Sequence, residues 1–543
     1  MAYKQGLFKD WVPRRLGLVG IFILIIPTLM INGIYINNML DMIGSFGDLS
    51  EKIQFANYAT TIGMIIVLPI IARIKGLMKS RNTLLIALFS QIITCIICAE
   101  TSFFPLIVAG SVVIGATKIL VMTECLLPLM FVITPNGDRA RFYSFIYPLS
   151  IGFGQFGGWV STLLAYHYQW QFMYYFMALL LAISFAITLL IFHNDRTVRR
   201  IPLYQVDWLS MLLLSIILIM LTYVCVYFKV NDGLSSVAIQ INIVFIPLFS
   251  IWFIKRQYSK RRPFINLRTL KNRNVLLALL LMTLMQFLFS TGNIQSSFAT
   301  TFLGLNSLDS ATSINLWMIP GVIVGAVICF FWFKQNRGLK GIIFIGFSAL
   351  VGYHILLYFL FYPGVNLEAF CLPVFIKGIG MMTLYAGIGL LAIDKMSITQ
   401  LFPISTFLIL IRSLIGPAFF SGVFSYNLYS IQLQNNGNMA STFDILNTSA
   451  SNTFNTTLRG GTIQGRSFEE AQAIALQTVG GQLQLQSLLG TCKEIFGLVA
   501  ISGLFILLFV MLVPMQKERR KRWDKLMATF SRQQTSKLVE LIE

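Results

Sequence analysis

Four charged side chains lie inside long apolar stretches of the sequence: Lys118, Glu124, Lys377 and Arg412. A charge at the centre of a bilayer costs about 2.5–3.5 kcal/mol even on lenient insertion scales, so such residues are functional candidates by default. Glu124 is the acid that falls well within a stretch. Because desolvation favours the neutral form of a carboxyl group, a carboxyl placed there can take up and release protons in the working pH range. The sequence therefore predicts proton coupling at Glu124.

A structural ion pair is the alternative role for Glu124. Its partner would be Lys118, or Lys377 across the bundle. Lys118 and Glu124 are six residues apart, which separates them by roughly 120° around a helix. The two side chains need not touch, and the sequence leaves both roles open.

The two lysines occupy similar local contexts in the two halves of the sequence. Ile114-Gly115-Ala116-Thr117-Lys118 has a counterpart in Lys377-Gly378-Ile379-Gly380, as expected for two repeated helical bundles. If both lysines face one cavity, that cavity is net positive and suits an anionic or weakly acidic amphiphile better than a lipophilic cation. The alternative is that these long side chains reach out to water instead.

Other polar and small residues in apolar stretches are candidates for binding or for helix packing. Asn32 and Asn37 could contact a bound substrate, but hydrogen bonding between helices is the more common role of such residues. His354 has no ligand partner nearby in the sequence and is predicted to be a packing residue. Glycines that allow helices to approach closely recur at Gly154, Gly157 and Gly158.

Membrane helices must position these residues. Fourteen apolar stretches of the length that crosses a bilayer as a helix run along the chain. The composition agrees, because 56% apolar and 11% charged residues could not cover a water-soluble surface. An all-α polytopic membrane protein with 14 transmembrane helices is predicted. The spans are placed at about 16–38, 53–73, 83–99, 103–132, 143–165, 171–192, 208–228, 236–254, 275–303, 311–333, 341–362, 369–393, 404–427 and 494–514.

The positive charge of the chain is concentrated on one side of these spans. The net charge is +20, and about 33 of the 41 Lys and Arg residues fall in alternate breaks and at the two ends. The positive-inside rule places those breaks and both termini in the cytoplasm. The lipid bilayer, rather than nucleic acid, accounts for the basic character, including that of the tail from Lys517 to Arg522.

One break differs from the others. Residues 428–492 are polar, rich in Asn, Gln, Ser and Thr, and predicted to lie outside. The segment from Asn435 to Thr462 is predicted to be irregular, whereas Ser467-Phe468-Glu469-Glu470 is typical of a helix start. The predicted organisation is a six-helix bundle at 1–200, two extra helices and a basic loop at 201–274, a second six-helix bundle with this outer loop at 275–514, and a basic tail at 515–543.

Several motifs along the chain resemble those of one known family. They are Val206-Asp207-Trp208-Leu209 at the seventh span, Arg262-Pro263-Phe264-Ile265-Asn266-Leu267-Arg268 with Lys271-Asn272-Arg273 before the ninth, Ile411-Arg412-Ser413-Leu414-Ile415-Gly416 in the thirteenth, Lys493-Glu494-Ile495-Phe496 before the last, and Asn32 with Asn37 in the first. With fourteen spans and a large outer loop, the chain resembles the EmrB/QacA-type drug:proton antiporters of the major facilitator superfamily. The resemblance implies two six-helix bundles plus two extra helices. It also implies a gating or binding role for Arg412 beside Gly416 and Pro417, and a bend at the glycines of the fifth span.

The chain departs from this family at residues that the family uses for coupling. Asn32 stands where the family has an acid, and the segment from Ile70 to Asn82 contains no acid. Ser111 stands near the place of the fourth-span Arg, and Phe153-Gly154 replaces the usual Gly-Pro pair. The fold expectation is unaffected, but coupling by the family's usual residues is not expected.

The resemblance implies a secondary active exporter of amphipathic small molecules, working by proton-coupled antiport and alternating access in the inner (plasma) membrane. It further implies a periplasmic adaptor and an outer-membrane channel as partners. Export of a specific endogenous lipid, fatty acid or metabolite is one alternative, and a scaffold or sensor that has lost transport is another. No enzyme signature is present, so no catalytic residue, metal or cofactor is expected.

Overall fold

The regular structure of the chain is helical, apart from one isolated bridge between Phe8 and Phe192. The computed structural model describes residues 8–9, 11–31, 34, 50–134, 138–193, 205–231, 233–335, 337–394, 396, 398–441 and 448–515. The helices are α1 (Arg14–Met30), α2 (Ser50–Leu77), α3 (Ser80–Glu100), α4 (Phe104–Ile133), α5 (Arg139–His167), α6 (Gln171–Ile191), α7 (Trp208–Tyr227), α8 (Val237–Ser259), α9 (Arg273–Phe302), α10 (Leu308–Lys334), α11 (Leu339–Leu360), α12 (Leu367–Ile393), α13 (Gln400–Ser441), α14 (Thr448–Ile463) and α15 (Phe468–Leu512).

Each of the predicted spans overlaps one of these helices. Within the described ranges, twelve helices are long and apolar enough to cross a bilayer. The other two predicted spans fall on α1, which has 17 residues, and on α5, which is not among the twelve. The helical membrane architecture is confirmed, whereas the count of fourteen transmembrane helices and the domain boundaries stay predictions.

Two large apolar cores organise the helices. One core is formed by α1 to α6, with Leu24, Leu88 and Met173 among its fully buried side chains. The other is formed by α9 to α13 and the second half of α15, and it also includes Ala140 and Ile151 of α5. The extra pair, α7 and α8, forms a third core with α2 and α13. The two halves therefore meet along α5 and α2, and the extra pair packs at that junction.

Glycine pairs allow the closest helix crossing in each half. Gly63 of α2 and Gly115 of α4 lie so close to the opposite backbone that a Cβ on either would overlap a carbonyl oxygen of its neighbour. Gly321 of α10 and Gly378 of α12 form the same kind of crossing in the second half. The repeated sequence contexts of Lys118 and Lys377 therefore correspond to repeated helix crossings.

The outer segment is helical where the sequence predicts an irregular loop. Helix α13 continues to Ser441, and α14 then packs against the first half of α15. The predicted helix start is confirmed, because the Ser467 hydroxyl accepts from the Glu470 N–H and the Glu470 carboxylate accepts from the Ser467 N–H. The 45 residues of α15 span about 68 Å, more than twice the hydrocarbon thickness of a bilayer, so its first half projects from the membrane.

A charge pair joins the two extra helices at their predicted cytoplasmic ends. Asp207 caps the N-terminus of α7, and Arg256 of α8 donates to its carboxylate from Nε at 3.0 Å and from Nη2 at 2.6 Å. Ser210 Oγ donates to the same carboxylate at 2.7 Å. Burial acts to raise the pKa of Asp207, but the hydrogen bonds from Arg256 and Ser210 outweigh it and lower the pKa below its ordinary value.

This charge pair gives a pH-dependent contribution to stability. Because the folded-state pKa of Asp207 is lowered, the contribution is complete above the unfolded-state value, about 3.9, and is lost as the pH falls through the folded-state value. Asp207→Asn retains a good N-cap but removes the charge. We expect this variant to unfold at a lower temperature than the native chain at pH 7. The difference should stay constant down to about pH 5 and shrink towards pH 3; a difference that is equal at all pH values would contradict the pair's role.

Candidate functional site

Lys118 and Arg412 lie near each other at the junction of the two halves. Lys118 projects from α4 with 3% of its surface exposed, and its Nζ has no hydrogen-bond partner among the described residues. Arg412 of α13 lies within electrostatic range and repels it. The site thus holds two like charges within electrostatic range, a buried lysine from one half and a half-buried arginine from the other.

A π-helical turn in α13 presents Arg412 to this site. The turn covers Leu410–Ile415 and is closed by the N–H of Gly416, which donates to the carbonyl of Ile411. Pro417 has no N–H to continue the hydrogen-bond ladder, and Gly416 leaves room for the side chain of Gln286. Gln286 in turn donates to the Arg412 carbonyl at 2.7 Å. The Gly-Pro pair therefore shapes the backbone that carries the arginine.

A row of tyrosines from both halves begins at the guanidinium of Arg412. The Arg412 Cζ atom lies 5.1 Å from the ring centroid of Tyr385 on α12. The ring of Tyr385 is 6.0 Å from that of Tyr147 on α5, which is 5.1 Å from that of Tyr143. Among the described residues, the one hydrogen bond of the Arg412 side chain is a long one, 3.5 Å, to the hydroxyl of Ser413. Cation–π contact, rather than an acid, therefore accompanies the charge of Arg412.

Lys377 lies within the second half, among α9, α11 and α12. Its Nζ is 4.5 Å from the ring centroid of Phe289 and 5.0 Å from that of Tyr353. Both lysines are buried, but the cation of the second half that acts on Lys118 is Arg412. The sequence predicts that Lys118 and Lys377 face one cavity. Among the described contacts, the cation of the second half that lies within electrostatic range of Lys118 is Arg412.

His354 belongs to a buried polar cluster beside Lys377. Its Nδ1 lies 2.7 Å from the carbonyl of Leu350, which can only accept, so Nδ1 carries the proton. Its Nε2 lies 2.9 Å from the hydroxyl of Thr291, where α9 is interrupted. The hydroxyl of the adjacent Tyr353 donates to Gln295 at 2.7 Å. His354 is predicted from the sequence to be a packing residue. In addition to packing, both of its ring nitrogens are hydrogen-bonded.

Glu124 forms an ion pair with a lysine that the sequence analysis did not consider. Lys75 Nζ lies 3.5 Å from Glu124 Oε1 and donates to the carbonyl of Thr123 at 2.8 Å. The alternative partners, Lys118 and Lys377, are not paired with it. The predicted second span ends at residue 73, which leaves Lys75 in the basic break that follows. Helix α2 instead continues through a 3-10 turn at Leu68–Ile70 as far as Leu77 and buries the lysine.

This buried pair leads to a prediction for stability. Lys75→Met leaves the Glu124 carboxylate buried without its partner, and we expect a loss of about 3–5 kcal/mol in unfolding free energy. The double variant Lys75→Met, Glu124→Leu should recover most of it, because no isolated charge remains. Thermal unfolding in detergent measures both, with Lys79→Met as the matched control. Equal destabilisation by the single and double variants would contradict this account.

The remaining candidate residues differ in their surroundings. Gly157 of α5 lies against the backbone of Met30, so its lack of a side chain allows α1 and α5 to pack closely. The Gly158 carbonyl accepts from the Thr162 hydroxyl at 2.8 Å. A Cβ on Gly154 would meet open space, so no close packing requires this glycine. Asn32 and Asn37 lie outside the described residues.

The two halves touch at both ends of their junction. At the predicted outer end, Trp159 Nε1 donates to the Thr312 hydroxyl at 3.1 Å. Near the predicted cytoplasmic end, Leu68 and Ile71 of α2 pack with Phe402 and Ile409 of α13. The Lys118 and Arg412 site therefore lies between two contact regions, as a site reached alternately from either side requires.

Comparison with known proteins identifies the family. The Major Facilitator Superfamily profile matches residues 21–400. No curated protein gives a significant match. Similar solved structures include the proton:xylose symporter XylE (10% identity, TM-score 0.47, covering 87% of this chain and 94% of that one) and the nucleoside transporter NupG (13%, 0.46, 77% and 92%). An auto-inhibited POT family peptide transporter is a third (14%, 0.46, 89% and 97%).

The sequence match covers most of the chain, so it settles the family without help from these structures. Members of this family are transporters rather than enzymes, and they move small molecules, often together with protons. The described helices fit such a role, because twelve of them can cross a bilayer. The chain belongs to the Major Facilitator Superfamily and is a multi-pass membrane transporter.

Proposed function

We propose that this chain exports amphipathic small molecules that carry an acidic group, by alternating access of its two halves. The observation that supports the proposal is the pair of cations at the junction, Lys118 and Arg412. Each half contributes one of them, so a ligand held by both would contact both halves. When the two halves rock, the contacts of such a ligand with each half change. Alternating access requires this coupling between the bound ligand and the conformation.

The charges at this site favour an anionic ligand. In the described part of the chain, the ion pairs join other residues, and no carboxylate pairs with Lys118 or Arg412. Arg412 repels the ammonium of Lys118, which also loses hydration energy because it is buried. A carboxylate, sulfonate or phosphate between them would neutralise both and provide the hydrogen-bond acceptor that Lys118 Nζ lacks.

The walls of the site suit the apolar part of such a ligand. The ring of Tyr385 on α12 lies against Arg412, and the rings of Tyr147 and Tyr143 on α5 continue the row. Ligand sites in proteins are typically lined by aromatic and apolar side chains, with a few polar groups that fix orientation. An acidic head group and an apolar body therefore both have contacts at this junction.

Proton coupling through Glu124 belongs to the same proposal. Lys75 of α2 and Glu124 of α4 form a buried ion pair, so each side chain holds the other while the two helices keep this arrangement. Rearrangement of α2 against α4 would separate them and tie protonation to the conformational state. Export against proton entry, rather than import, is carried over from the EmrB/QacA-type resemblance, as is the inner membrane. The cytoplasmic position of both termini is proposed from the positive-inside rule.

The projecting outer helices support a proposed partner. The first half of α15 extends beyond the length needed to cross a bilayer, and α14 packs against it. A periplasmic adaptor that leads to an outer-membrane channel, as the resemblance implies, would meet the chain there. Copurification of the full chain with and without residues 448–463 would test whether these helices hold such a partner.

A matched set of substrates tests the proposed substrate class. Inside-out vesicles with an imposed proton gradient would be offered one fluorescent alkyl chain ending in a carboxylate, a primary amide or an amine. We expect uptake of the carboxylate to exceed that of the other two by more than about tenfold, and to be lost when the gradient is collapsed. Preferred uptake of the amine would overturn the proposed substrate class.

Export of an endogenous fatty acid or anionic lipid is a second candidate function. The same two cations and tyrosines favour it, since a fatty acid carries one carboxylate on one apolar chain. Uptake of an unlabelled long-chain fatty acid by the native chain, with no uptake of other acidic amphiphiles, would favour this narrower function. A scaffold or sensor without transport is favoured only if no compound of the set moves.

A further inference from the structure

A basic cleft lies outside the junction of the halves, at the predicted cytoplasmic end of the extra helices. It has a volume of about 630 Å³, and the residues that line it include Gln205, Asp207, Trp208, Lys260, Arg261 and Arg262. The cleft is therefore large enough for a head group of phosphate size. Neither the transport proposal nor the family assignment gives it a role.

The charges in this cleft are unbalanced. Asp207 is neutralised by Arg256, as described above, which leaves Lys260, Arg261 and Arg262. The Arg262 side chain donates to the amide oxygen of Gln205, which carries no charge. The described lining of the cleft therefore holds three cations without a neutralising acid.

A fourth cation reaches this cluster from α2. Arg73 lies within electrostatic range of Arg262, and its Nη1 atom is buried without a hydrogen-bond partner in the described structure. The non-helical segment that contains Phe264 and Ile265 packs against α2 and α7 and so holds Arg262 near Arg73. A buried guanidinium N–H without an acceptor among the described residues can take one from a bound ligand.

The surroundings of the cleft face lipid. Helix α8 exposes large apolar side chains along its length, including Leu248, Ile251 and Trp252. Trp208 lines the cleft, and Tyr258 lies in the last turn of α8, just before Lys260. Both are half exposed, as is usual for aromatic residues at the level of lipid head groups. A head group in the cleft would thus place its acyl chains along the exposed face of α8.

We propose that this cleft binds the phosphate of an anionic membrane phospholipid. Arg262 contacts the phosphate, and Arg73, Lys260 and Arg261 contribute the surrounding positive potential. The bound lipid neutralises cations from the segment that follows α8 and from α2, and so holds the extra helices against the first half. This site is independent of the transported substrate, because it lies at the membrane surface and not between the halves.

Lipid retention by the purified full chain tests the proposal. Native mass spectrometry would compare phosphatidylglycerol with phosphatidylcholine of the same acyl chains, for the native chain and for the double variant Arg73→Gln, Arg262→Gln. Each basic residue near an anionic lipid is worth roughly fivefold in affinity, so we expect the double variant to lose more than about tenfold of the preference for phosphatidylglycerol. Arg268→Gln removes an exposed charge from the same segment and should keep the preference.

Three other outcomes would contradict the binding of an anionic phospholipid in this cleft. Equal retention of both lipids by the native chain, or an unchanged preference in the double variant, would contradict it. Inorganic phosphate that raises the unfolding temperature as much as phosphatidylglycerol would show a site for a free anion instead. If the double variant does not fold, Lys260→Gln with Arg261→Gln changes only exposed residues, and the same loss of preference is expected from it.

Discussion

Replacement of Gly115 by alanine is expected to prevent accumulation of folded protein. A Cβ at this position would overlap the carbonyl oxygen of Thr60, and Gly63 lies equally close to the backbone of α4 at Val112. Overpacking of a core usually costs about 1–3 kcal/mol, because side chains can move aside. Here the obstacle is backbone on the opposite helix, so α2 and α4 must separate. The cost should exceed that range, and size-exclusion chromatography of the detergent extract should show aggregate in place of a single peak.

Gly352→Ala is the matched control for this variant. Gly352 lies in the middle of α11, but a Cβ there meets open space. Because alanine is the better helix former, this variant should be as stable as the native chain or slightly more stable. Normal behaviour of Gly115→Ala would mean that α2 and α4 are farther apart than described.

The second half should show the same sensitivity. A Cβ on Gly378 would fall against the carbonyl of Met318, and one on Gly321 against that of Phe375. We therefore expect Gly378→Ala to be as damaging as Gly115→Ala. The sequence similarity around Lys118 and Lys377 thus has a structural cause, since each lysine lies close to the glycine at which two helices cross.

The positions of the helices could be predicted from the sequence because each long apolar run is a local feature. The helices of the outer segment could not be predicted in this way, because their residues do not favour a helix locally. Asn, Ser, Thr and Gly favour turns in isolation, yet Gly461 of α14 packs against Ala471 of α15. Ser487 also donates to the carbonyl of Gln432, and Asn435 to Thr491. Packing between helices therefore overrides the local preference of this segment.

The partners of buried charges were the least predictable feature. Glu124 and Lys75 come from different helices, and no spacing along the sequence relates them. Lys118 and Arg412 are almost 300 residues apart, and they meet because the two halves pack together. The sequence identified Lys118, Glu124 and Lys377 as buried charges, since this depends on a local apolar context. Which of them meet depends on the tertiary arrangement, and Lys75 was missed because its helix extends farther than its apolar run.

Replacement of Lys118 by methionine is expected to change stability and transport in opposite directions. The lysine is buried, lacks a hydrogen-bond partner and is repelled by Arg412. Methionine has a similar length and removes the charge, and replacement of buried charges by apolar residues is often stabilising. We therefore expect the purified variant to unfold at a higher temperature than the native chain. Residues that are kept at a cost in stability are commonly the ones that function requires.

The same variant should lose its preference for acidic substrates. Removal of one partner of a buried charge pair usually costs more than tenfold in affinity, so the ratio of carboxylate to amide uptake should fall from more than about tenfold to near one. Lys118→Arg keeps the charge and should keep most of the preference. A purely structural lysine would behave differently, since its loss would lower the unfolding temperature and reduce the uptake of all compounds alike. The two readouts together therefore separate a substrate-binding cation from a structural one.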